Sequence, residues 1–107
     1  MRRIYLAGPM TGLPDFNYPA FHAEAARLRQ LGYHVENPAE GAVPPCGTWV
    51  GYMRNAIQQL MTCEAVALLP DWQKSRGALI EHGLAVNLGL PARPADEFQG
   101  QMPWGGM

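Results

Sequence analysis

Cysteine is nearly absent: Cys46 and Cys63 are the only two in 107 residues. There is no C-x-x-C and no paired histidine spacing, so neither a disulfide framework nor a structural zinc site is expected. A reducing cytoplasm is the default setting. Charge of one sign is missing as well. Eight Lys and Arg face nine Asp and Glu, for a net charge of −1. Binding along a phosphate backbone needs a basic face, so a nucleic-acid polymer is not an expected partner. Long hydrophobic runs are missing too. The apolar stretches fall far short of the ~20 residues a membrane helix needs. Arg2 and Arg3 are not followed by the apolar core of a signal peptide, so neither membrane nor secretion is expected. His22, His34 and His82 sit at unrelated phases, and no metal or cofactor is expected.

What is plentiful is glycine and proline, 12 and 10 residues, and they punctuate periodic segments. Ile4-Tyr5-Leu6-Ala7 reads as a strand that stops at Gly8-Pro9. A turn-rich loop follows to Pro19, where Asn17 can cap a helix. Phe21, Ala25, Leu28 and Leu31 then form one apolar helical face, which Gly32 ends. Tyr33 to Glu36 alternates as a second strand and stops at Asn37-Pro38. Thr48 can cap the next helix, whose stripe is Val50, Met53, Ile57, Leu60 and Met61. Glu64 to Leu69 is short and almost wholly apolar, as a strand buried on both faces would be. Ser75 can cap a third helix closed by Gly89. Leu90 to Arg93 can add a last strand, weakened by Pro91 and Pro94.

Strands alternating with helices predict one α/β domain over residues 1–95. Its architecture would be a doubly wound, mostly parallel sheet of four or five strands with flanking helices. Residues 96–107 read as a loose tail, although Phe98, Met102 and Trp104 could dock. Sites in such folds lie at the carboxyl ends of strands. That selects the loops after Ala7, after Glu36 and after Leu69.

Gly8-Pro9-Met10-Thr11-Gly12 lets a sugar or phosphate approach the backbone, yet an ordinary tight turn would read the same way. It is neither G-x-G-x-x-G nor a P-loop. Glu81 lies within Ala78-Leu79-Ile80 and Leu84-Ala85-Val86, where an unpaired buried charge is costly. It is either a first-turn acid on the helix dipole or a carboxylate aimed into a cleft as base or nucleophile. Ser75 and Gly77 open the same helix, where free N–H groups favour an anion, and a plain N-cap also fits Ser75. Tyr5 is a core tyrosine whose hydroxyl needs a partner. Trp49 and Trp72 flank the mouth as packing residues or as a wall for a planar base. Cys46 has no neighbour in sequence to activate it.

Three segments together resemble the nucleoside 2-deoxyribosyltransferase superfamily. They are Ile4-Tyr5-Leu6-Ala7-Gly8-Pro9-Met10-Thr11-Gly12, Cys63-Glu64-Ala65-Val66-Ala67-Leu68-Leu69-Pro70-Asp71-Trp72 and Ser75-Arg76-Gly77-Ala78-Leu79-Ile80-Glu81. The likeness spans about residues 3 to 93. It is nearest the small uncharacterised domains of that superfamily, often carried by phages and prophages. It implies a Rossmann-like, flavodoxin-type fold, a homodimer or larger homo-oligomer, and N-glycosidic chemistry on deoxynucleosides or their 5′-monophosphates. By the same mapping Glu81 is the nucleophile and Tyr5 holds it. Gly8, Pro9, Met10, Thr11, Gly12, Asp15, Trp72, Ser75 and Gly77 would contact substrate. Ser75, where other members have Asp, resembles the branch that hydrolyses nucleoside monophosphates.

One position departs from that pattern. The superfamily usually carries an Asp eight residues before the acid opening its central strand, and here that position is Ala56, beside Asn55. Loss of a general acid typically costs ~10²–10⁴-fold. The chain would then hydrolyse slowly, use Asp15 or Asp71 instead, or bind its nucleotide without catalysis. A protein-interaction module on the same fold is the third reading. Ala56 is expected one turn before Leu60 with its Cβ toward the pocket rather than the core. Trp49, Tyr52, Met53 and the C-terminal aromatics are expected as the apolar surface for self-association.

Overall fold

The computed structural model describes residues 2–41, 44 and 47–100. Four strands, β1 (Arg3–Ala7), β2 (His34–Glu36), β3 (Ala65–Leu68) and β4 (Ala92–Pro94), form one sheet in the order β2-β1-β3-β4. All three pairings are parallel. Helices α1 (Tyr18–Gln30), α2 (Trp49–Leu60) and α3 (Arg76–Asn87) provide the crossovers. This is the α/β, Rossmann-like fold that the alternation predicts, with four strands among the described residues.

Side-chain alternation along the two central strands sorts the core into two layers. Ile4 and Leu6 of β1 and Ala65 and Ala67 of β3 join Phe21, Ala25 and Leu28 of α1. Tyr5, Ala7, Val66 and Leu68 point the other way, onto Ala56 and Leu60 of α2 and Ala78 and Ala85 of α3. β1 is buried on both faces from Ile4 to Ala7. Tyr5 is thereby committed to the α2/α3 layer.

Caps fix the helix ends. Thr48 Oγ1 accepts from Gly51 N at 3.1 Å, and Ser75 Oγ accepts from Ala78 N at 3.1 Å. Gly32 and Gly89 adopt φ of 101° and 77°. Each closes its helix with the paired backbone bonds of a Schellman motif, Tyr33 N to Leu28 O and Leu90 N to Ala85 O being the longer-range members. Asn17 precedes α1 but makes no side-chain cap. Its own φ is 60°, which turns the amide away from the helix, and Nδ2 donates instead to Pro9 O at 3.0 Å.

Three expectations are corrected. First, the stripe expected on α2 holds only in its middle, where Leu60 is buried and Met53 and Ile57 are half-buried. Val50 and Met61 are exposed, and Ala56 and Leu60 are buried. The small Ala56 side chain is what lets the helix lie close over Tyr5. Second, the chain does not loosen at Asp96. Phe98 is fully buried in the α1 layer, edge-on to Tyr33, and Tyr33 Oη donates to Gln99 O. Arg27 secures this segment through Ala95 O at 2.8 Å and Phe98 O at 3.2 Å. The packed chain therefore continues to Gln99, with Phe98 docked as it was expected to be able to, while Met102 and Trp104 lie outside the described residues, as does Cys46. Third, the expected last strand is present but lies at Ala92–Pro94 rather than from Leu90 to Arg93; Pro94 is tolerated because β4 is an edge strand that pairs on one side only. No helix among the described residues is long and apolar enough to cross a membrane.

Candidate active site

In the order β2-β1-β3-β4, the chain leaves β1 toward one side for β2 and toward the other for β3. The crevice beyond the carboxyl ends of β1 and β3 is the topological switch point where such folds bind ligands. A cleft of about 840 Å³ opens there. It is lined by the loop after β1, the start of α1, one face of α2, and the start of α3.

At its inner end stands Glu81, second-turn residue of α3. It is only 5% exposed and is the single buried carboxylate among the described residues. Tyr5 Oη donates to Glu81 Oε2. The pair spans 76 residues of sequence and arises because β1 turns Tyr5 toward α3. Burial pushes the Glu81 carboxyl up to about 7, against a smaller downward pull from the Tyr5 hydrogen bond. Burial, and then the neighbouring Glu81 charge, hold the Tyr5 phenol well above its ordinary range. Tyr5 is thus a fixed donor, and Glu81 is a carboxyl that changes charge near neutrality.

Of the residues singled out in the sequence, Gly8, Pro9, Met10, Thr11, Ser75, Gly77, Tyr5 and Glu81 all line the cleft. Gly8 permits a close approach: a Cβ there would meet Leu69 Cβ at 2.8 Å. Gly12, Asp15 and Trp72 lie outside the lining. Gly12 serves the turn itself, with φ of 83° and a bond from Leu13 N to Met10 O at 3.2 Å. Trp72 stacks on His82 with ring centres 4.4 Å apart. Asp71 is exposed and pairs with Lys74 at 3.6 Å. Asp71, like Asp15, lies outside the lining. Ala56 lines the cleft and also belongs to the apolar layer around Tyr5. It forms the floor where the two meet, so the expected choice between pocket and core resolves to both.

The sequence reading passed over Phe16, Tyr18, Gln59, Lys74 and Arg76, all of which line the cleft. Gln59 was findable: Tyr52, Asn55 or Ala56, and Gln59 recur at helical spacing from the Thr48 cap. Arg76 was not, because its guanidinium is placed by Trp49, 4.3 Å from the ring centre and 27 residues away in sequence. Phe16 is held outward by three consecutive left-handed residues, Asp15, Phe16 and Asn17, at φ of 52°, 53° and 60°. Such strain concentrates at functional sites. Among the described residues, no group of three or more His, Cys, Asp or Glu could hold a metal ion. Cys63 is buried, and its thiol is pushed up to about 11, chiefly by that burial.

No curated protein matches the chain. A solved 2-deoxyribosyltransferase from the psychrotolerant bacterium Bacillus psychrosaccharolyticus shares its fold, with a TM-score of 0.67 at 22% identity. The superposition covers 84% of this chain and 69% of that one. At this identity the likeness is one of fold. The segments that build the cleft, from β1 to β4, coincide with a single sequence family, and over residues 2–93 the chain belongs to the family described as a domain of unknown function, DUF4406.

Proposed function

We propose that this cleft breaks or transfers the N-glycosidic bond of a nucleoside or nucleoside 5′-monophosphate. The Glu81 carboxylate attacks the anomeric carbon, and the Tyr5 hydroxyl keeps one of its oxygens in place. The observation that carries this reading is the buried Tyr5–Glu81 pair at the inner end of an open cleft. A carboxylate that has shed most of its water is a better nucleophile than a solvated one, and a fixed phenol leaves its second oxygen free to react. Lys74 and Arg76 line the same cleft beside the α3 N-terminus, together with Ser75 and Gly77. Their charges suit the phosphate of a 5′-monophosphate. The solved 2-deoxyribosyltransferase of like fold supports the same chemistry.

The test is chromatographic release of free base from a panel of ribo- and deoxyribonucleotides, by wild type and by Glu81→Gln. Loss of at least about 100-fold in the variant is expected, as for removal of a nucleophile. Equal release by both proteins overturns the assignment. A second reading, a nucleotide binder without turnover, is favoured by Ala56 at the floor of the cleft. It would show as thermal stabilisation by nucleotide, about 2.7 kcal/mol at 100 times Kd, with no base released.

A further inference from the structure

We propose that the base released here is attached through a quaternised ring nitrogen, as in a pyridinium or an N-alkylated purine nucleotide. This rests on the glycosidic reading of Glu81 and names the substrate class it serves. A neutral base leaves the sugar as an anion unless something protonates it. A cationic base leaves as a neutral molecule, with the bonding pair returning to its ring nitrogen, and needs no acid.

The walls of the cleft match the second case. Across from α3, helix α2 contributes Trp49, Tyr52, Met53, Asn55, Ala56 and Gln59. These are aromatic, thioether, amide and methyl groups, without a carboxyl or an imidazole. Asp15, Asp71 and all three histidines are outside the described lining. Lys74 and Arg76 are the cationic side chains in the lining. Arg76 lies over Trp49, and an arginine does not give up its proton. What remains in the lining besides Glu81 is a set of phenol, hydroxyl, ammonium and amide donors, weaker acids than a carboxyl or an imidazole and so poorer at protonating a departing base. The exposed rings of Phe16 and Tyr52 offer π faces of the kind that attract a delocalised cation. The Asn55 and Gln59 amides can pair with a carboxamide or a ring amide on the base.

The chemistry balances with water as the only co-reactant. A Glu81 oxygen bonds to the anomeric carbon as the carbon–nitrogen bond breaks, and neutral base departs. Water then adds to the same carbon, the ester bond breaks, the carboxylate is restored, and one proton enters solvent.

Guanosine monophosphate and its 7-methyl derivative differ by one methyl group and one charge, and with nicotinamide mononucleotide they form a decisive set. Each is assayed in ribose and 2′-deoxyribose form with wild type, Glu81→Gln and Ala56→Asp. We expect kcat/KM for the two cationic substrates to exceed that for guanosine monophosphate by about 100-fold or more, the usual worth of a missing acid. Ala56→Asp should raise release from guanosine monophosphate by ~10-fold or more and so narrow its gap to the 7-methyl compound. Comparable wild-type rates on the methylated and unmethylated pair, both lost in Glu81→Gln, overturn this inference and leave the glycosidic reading standing. Release from none of the substrates by folded protein, or release indifferent to Glu81→Gln, overturns the glycosidic reading itself. Thermal melts of both variants separate these outcomes from misfolding.

Discussion

Glu81 ties stability to pH in the direction opposite to a salt-bridged acid. Its folded value of about 7 stands above the ordinary 4.5, so the folded state holds the proton more tightly than the unfolded chain. The stabilisation from this group is complete below about 4.5, fades as pH rises to about 7, and changes no further above. The difference is on the order of 3 kcal/mol. Glu81→Gln, neutral throughout and still able to accept from Tyr5, should be more stable than wild type at pH 8 and lose this dependence. Denaturant melts at pH 4.5 and 8 measure both, and a wild type that gains stability across that interval would contradict the burial argument. Base release should follow the opposite course, rising through about 7 as the nucleophile ionises. Phe16 shows a related tension between stability and site. A bulky residue at φ of 53° is strained, whereas Asn tolerates that conformation. Phe16→Asn is expected to raise the stability by up to about 1 kcal/mol, and the melting point with it, while weakening nucleotide binding. Calorimetric unfolding and titration would separate the two effects.

Among the elements, the ends of β1 and β3 are the tightest junction around the cleft. Gly8 passes so close to Leu69 that an added Cβ would meet its Cβ, an atom anchored to the backbone, at 2.8 Å. Gly8→Ala should therefore destabilise by about 1–3 kcal/mol, the range for overpacking, and shift the loop that lines the cleft. Gly77 is different. A Cβ there would meet the Met53 sulfur at 3.0 Å, the flexible part of a side chain that can swing aside. Urea unfolding of the two alanine variants side by side should show a large cost at position 8 and a small one at position 77. Equal costs would mean that the β1–β3 junction can relax. The same elements explain what the periodicity missed. On α3 the buried positions are Ala78, Glu81 and Ala85, while Leu79, Ile80, Val86 and Leu88 are exposed. A segment apolar on nearly every side gives no phase, so only its docking on β1 and β3 could choose the inward face.

At the scale of the molecule, that choice leaves α3 with an apolar outer face. Leu79 and Val86 are two turns apart on it, and Val86 is 58% exposed. Surface of this kind marks an interaction site more often than a plain solvent face. The patch differs from the one the sequence suggested. Of that set Tyr52 is exposed, but Trp49 lies beneath Arg76, Met53 lines the cleft, Phe98 is buried, and Trp104 lies outside the described residues. Self-association through α3 is the expected outcome. Sedimentation should give a mass above 11.8 kDa at tens of micromolar, and Val86→Glu should return the chain toward monomer. A clean monomer in wild type would remove the role from this face.

Residue order alone determined the alternation of strands and helices, the caps at Thr48 and Ser75, and the glycine stops at Gly32 and Gly89. These are local, because capping bonds and left-handed glycines involve neighbours a few residues apart. It also singled out Glu81, since a carboxylate among so many apolar residues breaks the local pattern. The residues by themselves left the partner of Glu81 open, and the family resemblance alone pointed to Tyr5; the inward face of α3, the docking of Phe98 and the position of Arg76 over Trp49 were decided by tertiary structure. Each depends on elements that meet only after the sheet forms, and on a contest for burial that no window of sequence contains. The sheet gave Tyr5 to the α2/α3 layer, where Ala56 of α2 both packs with it and lines the cleft.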